Sequence, residues 1–233
     1  MDDTNIDKIE PLANVALRHR VVQRLLAAIV AGKLSAGTHL VAKRLAERLG
    51  VSATPIREGL VELEQMGVVE ILHNRGAVAK PFSHKELREI FHLRRILERE
   101  ATLCAAGRID ASHLPSLRRE AETLLQQTPG ALDEWLQISI AHNRRLHGLM
   151  TDHCDNGRLG DEIHRYASLS EALTEALGDR IAVHREMLAG HVDIIDALQA
   201  GDASAAAAAM AQHIDDVGRC MEQTLFHHQP PEK

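Results

Sequence analysis

Residues 142–147 read HNRRLH, two histidines and an asparagine within six residues. Imidazole nitrogens and an amide oxygen are donors that zinc, nickel and other borderline divalent ions accept. Asn143 and His147 stand four apart, so a helix places them on one face. Much earlier in the chain, LAERLGVSATPIREGL carries different chemistry. Ser52 and Thr54 offer short hydroxyls suited to phosphate oxygens, and Arg57 is long enough to reach a base edge or a phosphate. One stretch points to a metal and the other to DNA, and a single chain has to position both.

The chain has 233 residues, comfortable for two domains. Hydrophobic residues make up 45% but aromatics only 2%, so the cores must be aliphatic. A composition rich in Ala and Leu favours helices. Cys104, Cys154 and Cys220 are scattered and odd in number, which suits a reducing cytoplasm rather than a disulfide framework. The N-terminal MDDTNIDKIE is acidic and lacks an apolar run, so no secretory leader is expected. No stretch approaches the ~18–20 apolar residues that cross a bilayer, so no membrane partner is expected. The net charge of −6 conceals an asymmetry: residues 13–80 hold ten bases against five acids, a local +5 that leaves −11 for the rest. A basic head on an acidic body fits an anion-binding module whose body is kept off the polyanion.

Residues 1–12 read as a loose tail and 13–81 as the basic head. From 17 to 31, Val21, Val22, Leu25, Leu26, Ile29 and Val30 recur at helical spacing, and GKLSAGT closes that helix. A short helix spans 42–49, GVS makes a tight turn, and a third helix runs to about Met66 with Ile56, Leu60 and Leu63 inward. Either Ser52 or Thr54 can cap it, Pro55 is tolerated in its first turn, and Gly67 ends it. VVEIL and GAVAK flank HNR as two short strands. Helix, helix, turn, helix, hairpin is the order of a winged helix-turn-helix, whose second motif helix enters the major groove by its N-terminal end. Here that end is Ser52, Ala53, Thr54, Pro55 and Arg57. Lys43 suits a backbone phosphate. Asn74, Arg75 and Gly76 in the wing suit the minor groove, where glycine lets the chain come close.

At 83–86 SHKE forms a capping box, and everything after it has helical period. Helices are expected near 84–106, 111–127, 131–153, 158–177, 180–200 and 203–226. Most of the connecting loops are short, so neighbours run antiparallel. The expected fold is mostly α: a winged helix-turn-helix, then an all-α antiparallel bundle over 83–228 that binds metal and effector and dimerises, then a tail over 229–233.

The segment AIVAGKLSAGTHLVAKRLAERLGVSATPIREGLVELEQMGVVEILHNRGAVA resembles the N-terminal domain of GntR-type bacterial transcription regulators. The resemblance implies DNA contacts at Lys43, Ser52, Thr54, Arg57 and the wing residues Asn74, Arg75 and Gly76. In the family an arginine usually stands between the Ser and the Thr and reads a base. This chain has Ala53, so an arginine–guanine contact there is unavailable.

LRRILEREATLCAA, NRRLHGLMTDHCDNGRL and GHVDIIDALQAGDASAAAAAMAQHI resemble the all-helical effector domain of the fatty-acid-responsive GntR subgroup, the FCD domain. The resemblance implies a divalent metal held by one Asp or Asn and three His, with an organic acid or similar effector beside it. In that register the ligands are Asn143, His147, His191 and His213. His142 falls outside the register and is either solvent-facing or core. Geometry agrees: His191 and His213 are equidistant from the AGD turn, so an antiparallel hairpin brings them to one height. Asn in place of Asp removes one negative charge from the shell, which implies weaker or more exchangeable metal with positions left open for an effector.

Arg94 and Glu98 are four apart, either a surface ion pair or, as the resemblance implies for Arg94, a guanidinium facing the effector cavity. His164 stands near the height of His147 around the CDNG turn and can approach the pocket; His184, two turns before His191, can line it. Cys154 reads as a buried small hydrophobe. The expected protein is therefore a cytoplasmic homodimeric transcription regulator, a repressor by the commoner family outcome, that binds double-stranded operator DNA and responds to an organic acid beside a zinc or nickel ion. The rivals are a metal-responsive regulator with no organic effector and, further off, a metal-dependent enzyme; no nucleophile–base pair was legible near the four ligands.

Overall fold

In a computed structural model the chain divides into two compact units, Met1–Phe82 and Ser83–Lys233. Residues 12–73, 75–127, 132–176 and 180–226 are described. The expected tails, the Pro129-Gly130 break and Asn74 lie outside them, apart from Leu12.

The first unit is built from α1 (Leu12–Val30), β1 (His39–Leu40), α2 (Ala42–Leu49), α3 (Ala53–Gln65), β2 (Val69–Leu72) and β3 (Gly76–Ala79). Its core is the apolar stripe of α1, with Val22, Leu25, Leu26 and Ile29 buried, packed on Ile56, Leu60 and Leu63 of α3. Gly59 is what lets the two helices close: a Cβ there would stand 3.0 Å from Val21 Cγ1. Strands β2 and β3 form the expected hairpin, with Val69 opposite Ala79 and Leu72 opposite Gly76. A third strand, β1, pairs antiparallel with β3, giving the order β1-β3-β2. His39 and Leu40 lie between GKLSAGT and the helix expected at 42–49 and belong to no expected element, because two residues carry no periodicity. The cap of α3 also differs from expectation. Ser52 holds the N-cap position, but its side chain makes no capping bond, and Thr54 is already inside the helix.

The second unit is all helix: α4 (His84–Ala105), a 3₁₀ turn at Ala111–His113, α5 (Leu114–Gln126), α6 (Leu132–His153), α7 (Gly157–Ala176), α8 (Arg180–Gln199) and α9 (Ala203–Phe226). The capping box at Ser83 is formed: Ser83 Oγ accepts from the backbone, and Glu86 accepts from the Ser83 N–H at 3.0 Å. Small residues bring α9 close to its neighbours. Ala206, Ala207 and Ala211 are buried, and a Cβ at Gly218 would stand 2.8 Å from the Phe91 ring of α4. The run DASAAAAAMA is thus a packing face, as helical spacing predicted. No helix of the described residues is long and apolar enough to cross a membrane.

Candidate functional site

Three buried histidines meet in the second unit. His147 comes from α6, His191 from α8 and His213 from α9, and their ligand atoms all lie within 4.8 Å of one another. The ring centroids of His147 stand 5.3 Å from both others, and those of His191 and His213 are 4.7 Å apart. The hairpin of α8 and α9 does what its symmetry about the AGD turn, centred on Asp202, predicted. It needs Gly190 to do so: a Cβ there would stand 2.6 Å from His213 Nδ1. Nothing in the local pattern of α8 marked that glycine, because the constraint comes from a different helix.

Glu98 was read only as a possible surface partner of Arg94. The pair is instead buried, with Arg94 5% and Glu98 2% exposed. Arg94 Nε donates to Glu98 Oε1 at 2.8 Å, and the other carboxylate oxygen meets His147 Nδ1. Burial pushes the Glu98 carboxyl up, but Arg94 and His147 outweigh it and hold it at about 2. An ionised carboxylate only accepts, so Nδ1 of His147 donates to it and Nε2 is the nitrogen turned towards the other imidazoles. That Nε2 faces His191 Nε2 at 3.3 Å. Two imidazole nitrogens on one tetrahedral ion at ~2.0–2.1 Å stand ~3.3 Å apart, so this pair is spaced as zinc ligands are. Burial, then neighbouring imidazoles, push His191 and His213 well below the ordinary histidine range, so both rings are neutral, as ligands must be. Nδ1 of each is buried with no hydrogen-bond partner among the described residues. The donor set fits a borderline divalent ion.

A cavity opens beside the triad, lined among others by Arg94, Asn143, His147, Ser170, His184 and His213. Asn143 is half-buried there, on the face of α6 it shares with His147. Arg94 Nη1 donates to Ser170 Oγ at 2.8 Å, which fixes the guanidinium at the wall. His184 lines the cavity as expected, and its Nδ1 is hydrogen bonded at 2.8 Å to the fully buried Ser139 Oγ. That Ser–His pair was not legible, since the two residues lie on α6 and α8. Apolar walls come from Ile140, Val183, Met187 and Val217. His164 does not reach it: it is exposed on α7, because the buried Ile163 sets which face of that helix turns inward. His142 is core, 0% exposed, its ring 5.1 Å from that of His191 but outside the triad. Cys154 is buried, as its small apolar role requires.

In the first unit Ser52, Thr54 and Arg57 are exposed at the start of α3, Lys43 at the start of α2, and Arg75 at the hairpin tip. Gly76 has φ +87°, and a Cβ there would stand 2.4 Å from the Leu40 carbonyl oxygen. Pairing with β1 therefore demands glycine at this position whatever the wing touches.

Residues 17–78 match the gntR family of bacterial regulatory proteins, and residues 89–216 match the FCD domain. The second match alone covers more than half of the chain. The chain belongs to the GntR family.

Relatives agree with this membership. The HTH-type transcriptional repressor RspR of Escherichia coli is 26% identical over 82% of both chains. The uncharacterized HTH-type transcriptional regulator Rv0494 of Mycobacterium tuberculosis is 30% identical over 84% of this chain and 86% of its own length. Among solved structures, E. coli McbR/YncC superposes with a TM-score of 0.61 over 89% of this chain and 97% of that one, at 24% identity. This GntR-family protein is a DNA-binding transcription regulator with an FCD effector domain, and its relatives are regulators rather than enzymes.

Proposed function

We propose that this GntR regulator is a cytoplasmic homodimer that binds a near-palindromic operator and senses a small carboxylate beside a zinc or nickel ion. The observation that carries the metal reading is the meeting of three buried imidazoles with Nε2 of His147 and His191 3.3 Å apart. His147, His191 and His213 would hold the ion, with Asn143 as the fourth donor. Glu98 fixes the tautomer and orientation of His147, the role carboxylates commonly take behind a ligating histidine. The bound ion supplies a Lewis-acidic anchor for an anionic ligand. Arg94 supplies the second anchor: its Nε and Nη1 are occupied by Glu98 and Ser170, which holds the guanidinium rigid at the cavity wall.

Lys43, Ser52, Thr54, Arg57, Asn74, Arg75 and Gly76 form the operator-binding set. Two heads related by a two-fold axis read two half-sites. Half-exposed Leu93 and Ile96 on α4 suit contact with a second copy. Effector and operator then change each other's affinity by the same factor.

The test is metal content after equilibration with zinc, followed by a thermal-shift screen of organic acids on the loaded protein. His147→Ala, His191→Ala and His213→Ala each lower zinc per chain, and His142→Ala does not. Arg94→Ala keeps the zinc and abolishes the shift with acids. Full zinc content in the three alanine variants defeats the metal assignment. Zinc-dependent operator binding without response to any acid favours the purely metal-responsive regulator.

A further inference from the structure

Helix α3 holds a single cation, Arg57, and its one side-chain amide, Gln65, lies at the far end. Guanine is read by the fork of an arginine and adenine by the paired donor and acceptor of an amide. From the leading end of α3, readout of that kind is available at one position only. The exposed hydroxyls of Ser52 and Thr54 are suited to phosphates and Glu58 is the one exposed carboxylate of that end; what remains there is methyl groups. Ala53 and Thr54 open the helix, Thr54 exposed and Ala53 half-buried. Arg57 follows Ala53 by four residues and Val61 follows Arg57 by four, so the three form one stripe. Val61 is 45% exposed, so the stripe is open two turns in, with Arg57 between its two apolar positions. The opposite side of α3, with Ile56, Leu60 and Leu63, is committed to the core. A methyl group neither donates nor accepts. Its complement on a major-groove base edge is the C5-methyl of thymine, the apolar group displayed there.

We propose that Ala53, with the methyl of Thr54, reads thymine methyl groups in the operator half-site, beside one guanine read by Arg57. This rests on the operator-binding reading of α3 given above. The full-length protein is used to select sites from a random duplex library, and the selected duplex is remade with deoxyuridine in place of individual thymines, which deletes only the methyl. Replacement of a contacted thymine weakens binding by ~4-fold, as expected for one methyl group no longer buried. Ala53→Arg changes the selected thymine to guanine and leaves the guanine that depends on Arg57 in place. Equal affinity for thymine and uracil duplexes, or selection of an unchanged sequence by Ala53→Arg, overturns the thymine assignment and leaves operator binding standing. Retention of no duplex from the library overturns the operator-binding reading and this proposal together.

Discussion

Glu98 shows how much one side chain can organise. Its two oxygens tie a guanidinium on its own helix to an imidazole on α6, and all three groups are buried. Removing its charge while keeping its shape tests that role. Glu98→Gln should weaken zinc binding by ~10–100-fold, the usual cost of losing a partner behind a metal ligand; unchanged affinity in a competition titration would remove Glu98 from the site. Gly190 acts by lacking a side chain. Gly190→Ala places a methyl where His213 Nδ1 now lies, so His213 or the α8–α9 spacing must give way. The expected result is lower zinc content together with ~1–3 kcal/mol less stability in denaturant unfolding, as overpacking of a tight site produces. A variant as stable as the parent and fully zinc-loaded would contradict that spacing. Neither residue was legible as part of the site. That His147, His191 and His213 come together was, because the family resemblance supplied the register and symmetry about a turn is a property of sequence.

At the scale of elements, caps and stripes do most of the work. Ser83 and Glu86 secure the start of α4, the helix that carries Arg94 and Glu98. Ser83→Ala should cost about 1 kcal/mol in denaturant unfolding. A loss near zero would mean that packing alone fixes that end. Helix α3 divides its residues cleanly between a buried side and an open one, and Arg57 lies on the open side. Arg57→Ala should therefore abolish operator binding in a gel-shift titration while the far-ultraviolet dichroism stays helical. Binding at parental strength would remove α3 from the groove. The expected helix limits of the second unit agree with the observed ones to within a residue or two because periodicity and glycine or cap residues coincide there, except that α5 starts at Leu114, after a 3₁₀ turn over the first three residues expected in it. The strand β1 was missed because its two residues are specified by β3 alone.

For the whole molecule, acid is the revealing variable. His191 and His213 sit well below the ordinary histidine value in the folded protein, chiefly through burial. Below ~pH 6.5 the unfolded chain takes up protons that the folded protein refuses. Stability of the metal-free protein is thus complete above that pH and falls as pH drops, by ~1.4 kcal/mol per pH unit for each of the two histidines. Glu98, held at about 2, adds a second loss in the same direction once pH passes below its ordinary value of 4.5. Zinc should raise stability at every pH without removing this loss, because the imidazoles it holds are already neutral in the folded protein and it is the unfolded chain that takes up the protons. Denaturant melts of metal-free protein from pH 8 to 5 check the sign; constant stability across that range contradicts it. Local pattern and charge asymmetry by themselves determined the two-part plan and the helices of the body, and with the family resemblance they singled out the histidines that converge, since each depends on neighbours in sequence or on symmetry about one turn. Only the tertiary structure decided that Arg94 and Glu98 are buried, that His142 is core and His164 outside, and that Gly190 and Gly76 are required. Those outcomes depend on which face of one element meets another, and packing settles that when the helices and strands come together.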